Sequence, residues 1–324
     1  MGPNPRRRLD VVRGGLLQSP VMSFAGRPSV APAPLVLVAL LMWGCGGEDV
    51  VVQEAPTAKQ RGVAPAAGGT AGSDPLRDAS LRSARLNITV DDVGDTRFRY
   101  RAPRRVRGGL VEIRLRNMSA VPRKAQLWRI DGDHSVEEAL RIRRPQPDWL
   151  RTAGGVSLTE PGRTSSTLQA LPAGRYYVAA VLDTPGIVAP FTVTGPDSAP
   201  APPRAPARVE ARDFSFRVSG LKAGRNSVDF DNTGSEPHHA YFTPMRAGAD
   251  LKDVTAFFST RTSTGTPPVD TETVRETVVL EGRDRQVTQL DLPAGRYALV
   301  CFVRGRRGGP RHLELGMINE VTVR

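Results

Sequence analysis

The chain is poor in the residues that most often carry chemistry: two cysteines, four histidines and 6% aromatics. With so few rings, its cores must be built mostly from Val, Leu and Ala, with a few Phe and Tyr. No nucleophile elbow, phosphate-binding glycine loop or HExxH pair occurs, and the expectation is a protein that is not an enzyme. A basic stripe with interleaved aromatics is missing too, which argues against nucleic acid as a partner. The apolar run Leu35–Trp43 is too short to span a bilayer.

What the chain has in quantity is glycine (32), proline (28) and positive charge, +12 over 324 residues. That length suits two modest domains with tails. The first 45 residues hold five Arg and one Asp, so the remainder carries 40 basic and 32 acidic residues, a net charge of +8. The excess is almost all arginine and is spread evenly, as on a solvated sheet surface.

Residues 1–45 read as an export signal, with Arg27 and earlier arginines ahead of a short apolar stretch. Gly44-Cys45-Gly46 follows and resembles a bacterial lipobox, whose cysteine is lipidated and becomes the mature N-terminus. Met42 and Trp43 depart from that motif's usual Leu and small residue. The stretch before Met22 is long for an n-region, which makes Met22 a candidate start. The resemblance implies a lipid on Cys45, a membrane contact through that anchor and an extracytoplasmic location. A plain secretory signal with an incidental cysteine is the alternative. If Cys45 is lipidated, Cys301 is left alone in an oxidising compartment, as a buried structural residue or as a metal ligand. A Cys45–Cys301 disulfide requires the lipobox reading to fail.

Residues 46–83 are small, polar and without periodicity, a flexible tether. Residues 195–207 (GPDSAPAPPRAPA) form a stiff Pro/Ala spacer between two similar units, 84–194 and 208–324. The similarity is internal. Gly109–Ala125 aligns without a gap on Gly224–Ala240, matching Asn117 with Asn232 and Pro122 with Pro237. Leu171-Pro172-Ala173-Gly174-Arg175-Tyr176 recurs word for word at Leu292–Tyr297. Short runs alternating with period two, such as Val111–Leu115 and Arg208–Phe214, predict an all-β chain of two tandem antiparallel sandwiches or barrels. Helical insertions are expected at Ser135–Ile142 and Leu251–Phe258.

In the last part of the chain Cys301, His312 and Met317 surround a loop between two strand-like runs, and His238-His239 lies upstream. Two imidazoles, a thiolate and a weak axial thioether form the ligand set of a type 1 copper site. Residues 208–324 resemble a cupredoxin, the blue-copper family of plastocyanin and azurin. The resemblance is carried by Asn232, Pro237-His238, Tyr297, Cys301, His312, Gly316 and Met317, with Val321–Val323 as closing strand. It implies a Greek-key sandwich binding one type 1 copper through His238, Cys301, His312 and Met317. Strand parity selects His238 over His239, since His238, Ala240 and Phe242 share the face whose counterparts in the first unit include Ala125 and Leu127. His239 then occupies the family's Asn position.

Ten residues, Phe302–Arg311, separate Cys301 from His312, more than in small cupredoxins. Arg304, Arg306, Arg307 and Arg311 in that loop put four cations near a cationic metal and disfavour Cu(II) unless they point to solvent. No histidine adjoins Cys301, so a coupled second copper centre is not supported. The first unit lacks the set: Arg123 stands for His238, Ala180 for Cys301, and Val181–Val193 holds neither His nor Met. It is expected to be a degenerate, metal-free copy. His134 there reads as an exposed turn residue, and Asp131 and Asp133 lack the rest of a calcium loop.

The leading expectation is therefore an exported, lipid-anchored protein whose second sandwich binds one copper for electron transfer or copper handling, with a redox partner protein. The alternative is a metal-free surface lipoprotein whose two sandwiches serve binding or structural roles.

Overall fold

A computed structural model describes residues 82–93, 97–142, 145–179, 189–259 and 266–324. The expected export signal, the lipidation site Cys45, nearly all of the 46–83 tether and Ala180–Val188 lie outside the described residues.

Nine strands make the first sandwich: β1 (Ala84–Asp92), β2 (Phe98–Arg101), β3 (Arg105–Arg107), β4 (Gly109–Asn117), β5 (Arg123–Ile130), β6 (Leu150–Thr159), β7 (Thr164–Leu171), β8 (Gly174–Ala179) and β9 (Ala189–Thr194). One sheet runs β3-β9-β8-β5-β6, and the strands β7-β4-β1-β2 lie in the other. Period-two burial fills the space between them. Val111, Ile113 and Leu115 of β4 meet Leu127, Val178 and Phe191 from the opposite sheet in one core. A helix, α1 (Val136–Arg141), interrupts the β5–β6 connection. Ser135 caps it by accepting from the Glu138 N–H, and Glu138 reaches back to the Ser135 amide, a reciprocal capping box.

The second sandwich repeats the scheme. Its strands are β10 (Ala207–Arg212), β11 (Ser215–Ser219), β12 (Gly224–Asn232), β13 (Tyr241–Pro244), β14 (Arg275–Glu276), β15 (Arg285–Leu292), β16 (Gly295–Val300), β17 (Arg304–Gly305), β18 (Gly308–Arg311) and β19 (Ile318–Val323). The strands β11-β10-β12-β15 and the sheet β14-β13-β16-β19 enclose Val209, Phe230, Phe242, Leu299, Cys301 and Met317. Helix α2 (Leu251–Ser259) buries Val254 and Phe258.

One expectation needs correction. The sheets are mixed: β1 runs parallel to β4, and β10 to β12. The cause is geometric. Each opening hairpin (β1–β2, β10–β11) carries the chain back to its starting end, so the next strand laid beside the first must run the same way. The spacer 195–207 separates the units in sequence but not in space. Strand β15 pairs antiparallel with β7, Thr288 opposite Thr167 and Gln286 opposite Gln169. A single eight-stranded sheet therefore runs through both sandwiches.

Candidate metal centre

His238 sits three residues before β13 begins, held by reciprocal backbone bonds with Leu280 of 3.0 and 2.9 Å. Cys301 follows directly on β16. Between Cys301 and His312 the chain does not wander: β17 and β18 form a hairpin, and the His312 N–H closes it by donating to Val303 O at 2.8 Å. A loop of ten residues thus spans no greater gap than a short one. A 3-10 turn (His312–Leu315) follows. It ends on Gly316, whose φ of +94° lies in the left-handed region that glycine adopts without strain. That turn brings the chain back so that Met317 N–H donates to His312 O (2.9 Å) and Cys301 N–H to Met317 O (3.2 Å).

The result is a convergence of three side chains, all fully buried. Cys301 Sγ lies 3.7 Å from His238 Nδ1 and 3.5 Å from His312 Nδ1, and the two Nδ1 atoms are 2.9 Å apart. Met317, also fully buried, packs in the same core cluster as Cys301. Phe214 lies against both imidazoles, with ring centroids 4.7 Å from His312 and 6.3 Å from His238.

Asp213 orients the site from behind. Its Oδ1 is 2.8 Å from His238 Nε2. Burial opposes ionisation of this carboxyl, but hydrogen bonds from the Ser235 hydroxyl and amide, from His238 and from the Glu236 amide outweigh it and hold the group at about 2. An ionised acceptor on Nε2 places the imidazole proton there and leaves the Nδ1 lone pair facing Cys301 and His312. Burial lowers the His238 pKa, against the pull of Asp213, which keeps the ring neutral as a ligand must be. Burial also pushes the Cys301 thiol up to about 12. A buried thiolate between two neutral imidazoles has no counter-charge of its own, and a soft cation would provide one. The donor set N, N, S therefore fits copper.

Of the loop arginines only Arg307 points to solvent as the sequence reading requires; the other three turn to protein partners instead. Arg311 donates to both Glu314 oxygens, Oε1 from Nε at 3.0 Å and Oε2 from its backbone at 2.8 Å, and to Phe258 O. Arg306 pairs with Glu281 at 2.6 Å, Arg304 donates to Gly309 O, and Arg307 is exposed.

Of the residues expected from sequence, His238, Cys301 and His312 come together, and Met317 lies in the adjoining core. Both faces of the His238–Thr243 segment are buried, His239 on the face opposite His238 included. The His239 Nε2 accepts the Phe302 N–H at 2.9 Å, and burial, with the nearby Lys124 charge, drives its pKa down to about 3. His134 is half-buried, stacked on Trp149 at 4.0 Å, rather than simply exposed. Sequence reasoning missed Asp213 and Phe214. Only the strand register reveals them, because 25 residues separate Asp213 from the histidine it orients.

No protein-family model matches the chain, and no curated protein matches it in sequence. Among solved structures it is similar to auracyanin B, 20% identical over 36% of this chain and 86% of that one, with a TM-score of 0.24. The reduced auracyanin of Roseiflexus castenholzii is 16% identical over 36% of this chain and 94% of its own (TM-score 0.25). A copper nitrite reductase from Nitrosomonas europaea is 15% identical, covering 74% of this chain and 94% of its own (TM-score 0.20). Likenesses this slight carry no argument about function. The cupredoxin-like fold is read from the strand order and register above, and the His-Cys-His cluster from its own distances.

Proposed function

We propose that the second sandwich binds one type 1 copper through His238, Cys301 and His312, with Met317 as the weak axial ligand, for electron transfer or copper handling. The observation that carries this reading is the meeting of two imidazole Nδ1 atoms and one thiol within 2.9–3.7 Å in a fully buried pocket, from segments 63 and 11 residues apart. Copper bound there would supply one-electron redox chemistry. The chain's own part is to fix the donors: Asp213 sets the His238 tautomer, the β17–β18 hairpin sets the Cys301–His312 separation, and the surrounding core excludes water. Phe302 rather than histidine follows Cys301, which favours a carrier over a catalytic two-centre enzyme. The export signal and a lipid on Cys45 belong to the same proposal and would place the protein at a membrane, facing a redox partner.

The test is a titration of the metal-free full chain with Cu(II). One equivalent should produce an intense visible thiolate-to-copper band that disappears in Cys301→Ser. A colourless protein without stoichiometric uptake would overturn the reading in favour of a metal-free surface lipoprotein.

A further inference from the structure

Three separate contacts run from the first sandwich to the segments that carry the candidate ligands. The first begins at His239. Because its Nε2 accepts the Phe302 N–H at 2.9 Å, its ring proton sits on Nδ1, 4.0 Å from Glu276 Oε2. Glu276, buried on β14, is held in turn by Lys124 of β5, whose Nζ lies 2.9 Å from Oε1. A cation of the first sandwich thus reaches, through one carboxylate and one imidazole, the amide immediately after Cys301.

The second contact grips the ligand loop at Arg306. Its guanidinium donates to Pro147 O at 2.7 Å and Leu150 O at 3.2 Å, while its carbonyl accepts the Gln146 N–H at 2.7 Å. The same guanidinium pairs with Glu281, whose Oε2 also accepts the Thr152 N–H at 3.2 Å. The third contact passes through Leu280, which bridges His238 on one side and Ala153 of β6 on the other. The Gln126 side chain supports that segment with a pair of bonds to the Val279 backbone, 2.9 and 2.8 Å.

Ordinary inter-domain contacts have no reason to converge on the chain beside two candidate ligands. We propose that the first sandwich is a positioning element for the metal centre of the second. In this role Lys124, through Glu276 and His239, fixes the backbone at Phe302, and the 146–150 segment fixes the ligand loop through Arg306. Holding a long loop from outside removes conformations that would otherwise let Cys301 and His312 drift apart, so the donors are preset for either charge of the metal. The role in metal binding rests on the copper reading, but the clamp is a property of the metal-free chain and is measurable there.

The experiment uses the full chain with Lys124→Met, Arg306→Met and the conservative Lys124→Arg. In the metal-free protein, loss of a partly buried charged partner should speed amide exchange at Phe302 in Lys124→Met, and across residues 302–311 in Arg306→Met, by roughly tenfold or more. Lys124→Arg should restore protection. Loaded with Cu(II), both Met variants should keep one copper per chain while the visible band and the midpoint potential shift. Should Lys124→Met lose its far-ultraviolet spectrum, Glu276→Gln, which keeps the shape and removes the charge, carries the same test. Unchanged Phe302 protection together with an unchanged band would overturn the proposal. If exchange responds but the parent chain takes up no copper, the clamp stands and the copper reading fails. If copper loads and exchange does not respond, the clamp alone fails.

Discussion

The two sandwiches share a frame down to individual hydrogen bonds, and the difference that bears on function lies where a metal would sit. Asn117 and Asn232 are both fully buried, and each donates to the carbonyl four residues on, Val121 O or Glu236 O, at 2.8 Å. Tyr176 and Tyr297 each donate to a proline carbonyl four residues back, at 3.0 and 2.8 Å. Opposite Asn117 the parallel register places Val90, and opposite Asn232 it places Ala211, which makes Asp92 the counterpart of Asp213. Both aspartates accept an equivalent amide, Ala120 N–H at 2.7 Å or Ser235 N–H at 2.8 Å. By the same register Phe98 corresponds to Phe214. The first sandwich therefore retains the acid and the aromatic ring of the site but puts Arg123 between them, 3.6 Å from Asp92 and 3.8 Å over Phe98. A guanidinium satisfies the acid and the ring without any metal. The lesson is that the fold and even the residues behind the first histidine say nothing about copper. Only the inward-facing donors do.

The sharpest way to break that comparison is to write the first sandwich into the second. His238→Arg retains Asp213 to pair with and Phe214 to lie against, so the far-ultraviolet spectrum should be unchanged. Copper uptake should fall from one equivalent to none. A variant that still bound copper with an intact visible band would show that His238 is not a ligand.

A smaller effect tests the shared frame itself. In Asn117→Ala or Asn232→Ala, a fully buried amide is lost and its carbonyl acceptors are left without a donor, which should cost about 2–4 kcal/mol in either sandwich. Chemical denaturation of both variants measures this. A cost confined to one of them would mean that the two asparagines hold different frames.

How much of this the sequence carries depends on the range of the interaction. Alternation in β4 and β12, the repeated LPAGRY words and the cap at Ser135 are local signals, and they yield the strands, the duplication and α1. Cys301, His312 and Met317 fall close together, so their meeting is legible from spacing once a hairpin or loop is assumed. Asp213, Lys124, Glu276 and Arg306 are not legible. Each acts on a segment 25 to 159 residues away, through a register or a sheet join that no periodicity encodes. The loop arginines illustrate the reverse case. Their composition suggests a repulsive wall, whereas Glu281, 25 residues before Arg306, and Glu314, three residues after Arg311, neutralise those two.

The smallest of these tests concerns one turn present in both halves. Glu160 O accepts the Arg163 N–H, and Arg163 O accepts the Asn117 N–H; in the second sandwich Glu281, Asp284 and Asn232 repeat both bonds at 3.2 and 3.0 Å. Within that turn Gly162, with φ at +70°, becomes Arg283 at +69°, a left-handed conformation that costs a side chain of this kind. Arg163 becomes Asp284, whose carboxyl is pushed up to about 6 by burial, aided by Glu281 and opposed by Arg151 and Arg129. A carboxyl whose folded pKa is raised binds its proton more tightly in the folded state. Its contribution to stability is therefore complete below its ordinary value, near 3.8, and is lost as the pH rises through about 6. Asp284→Asn cannot ionise and should escape that loss. The variant should match the parent near pH 4 and exceed it by about 1–2 kcal/mol above pH 7, as read from paired denaturation curves. An advantage that is flat with pH would show that the carboxylate at this turn is already solvated, and that the exchange of Arg163 for Asp284 carries no electrostatic cost.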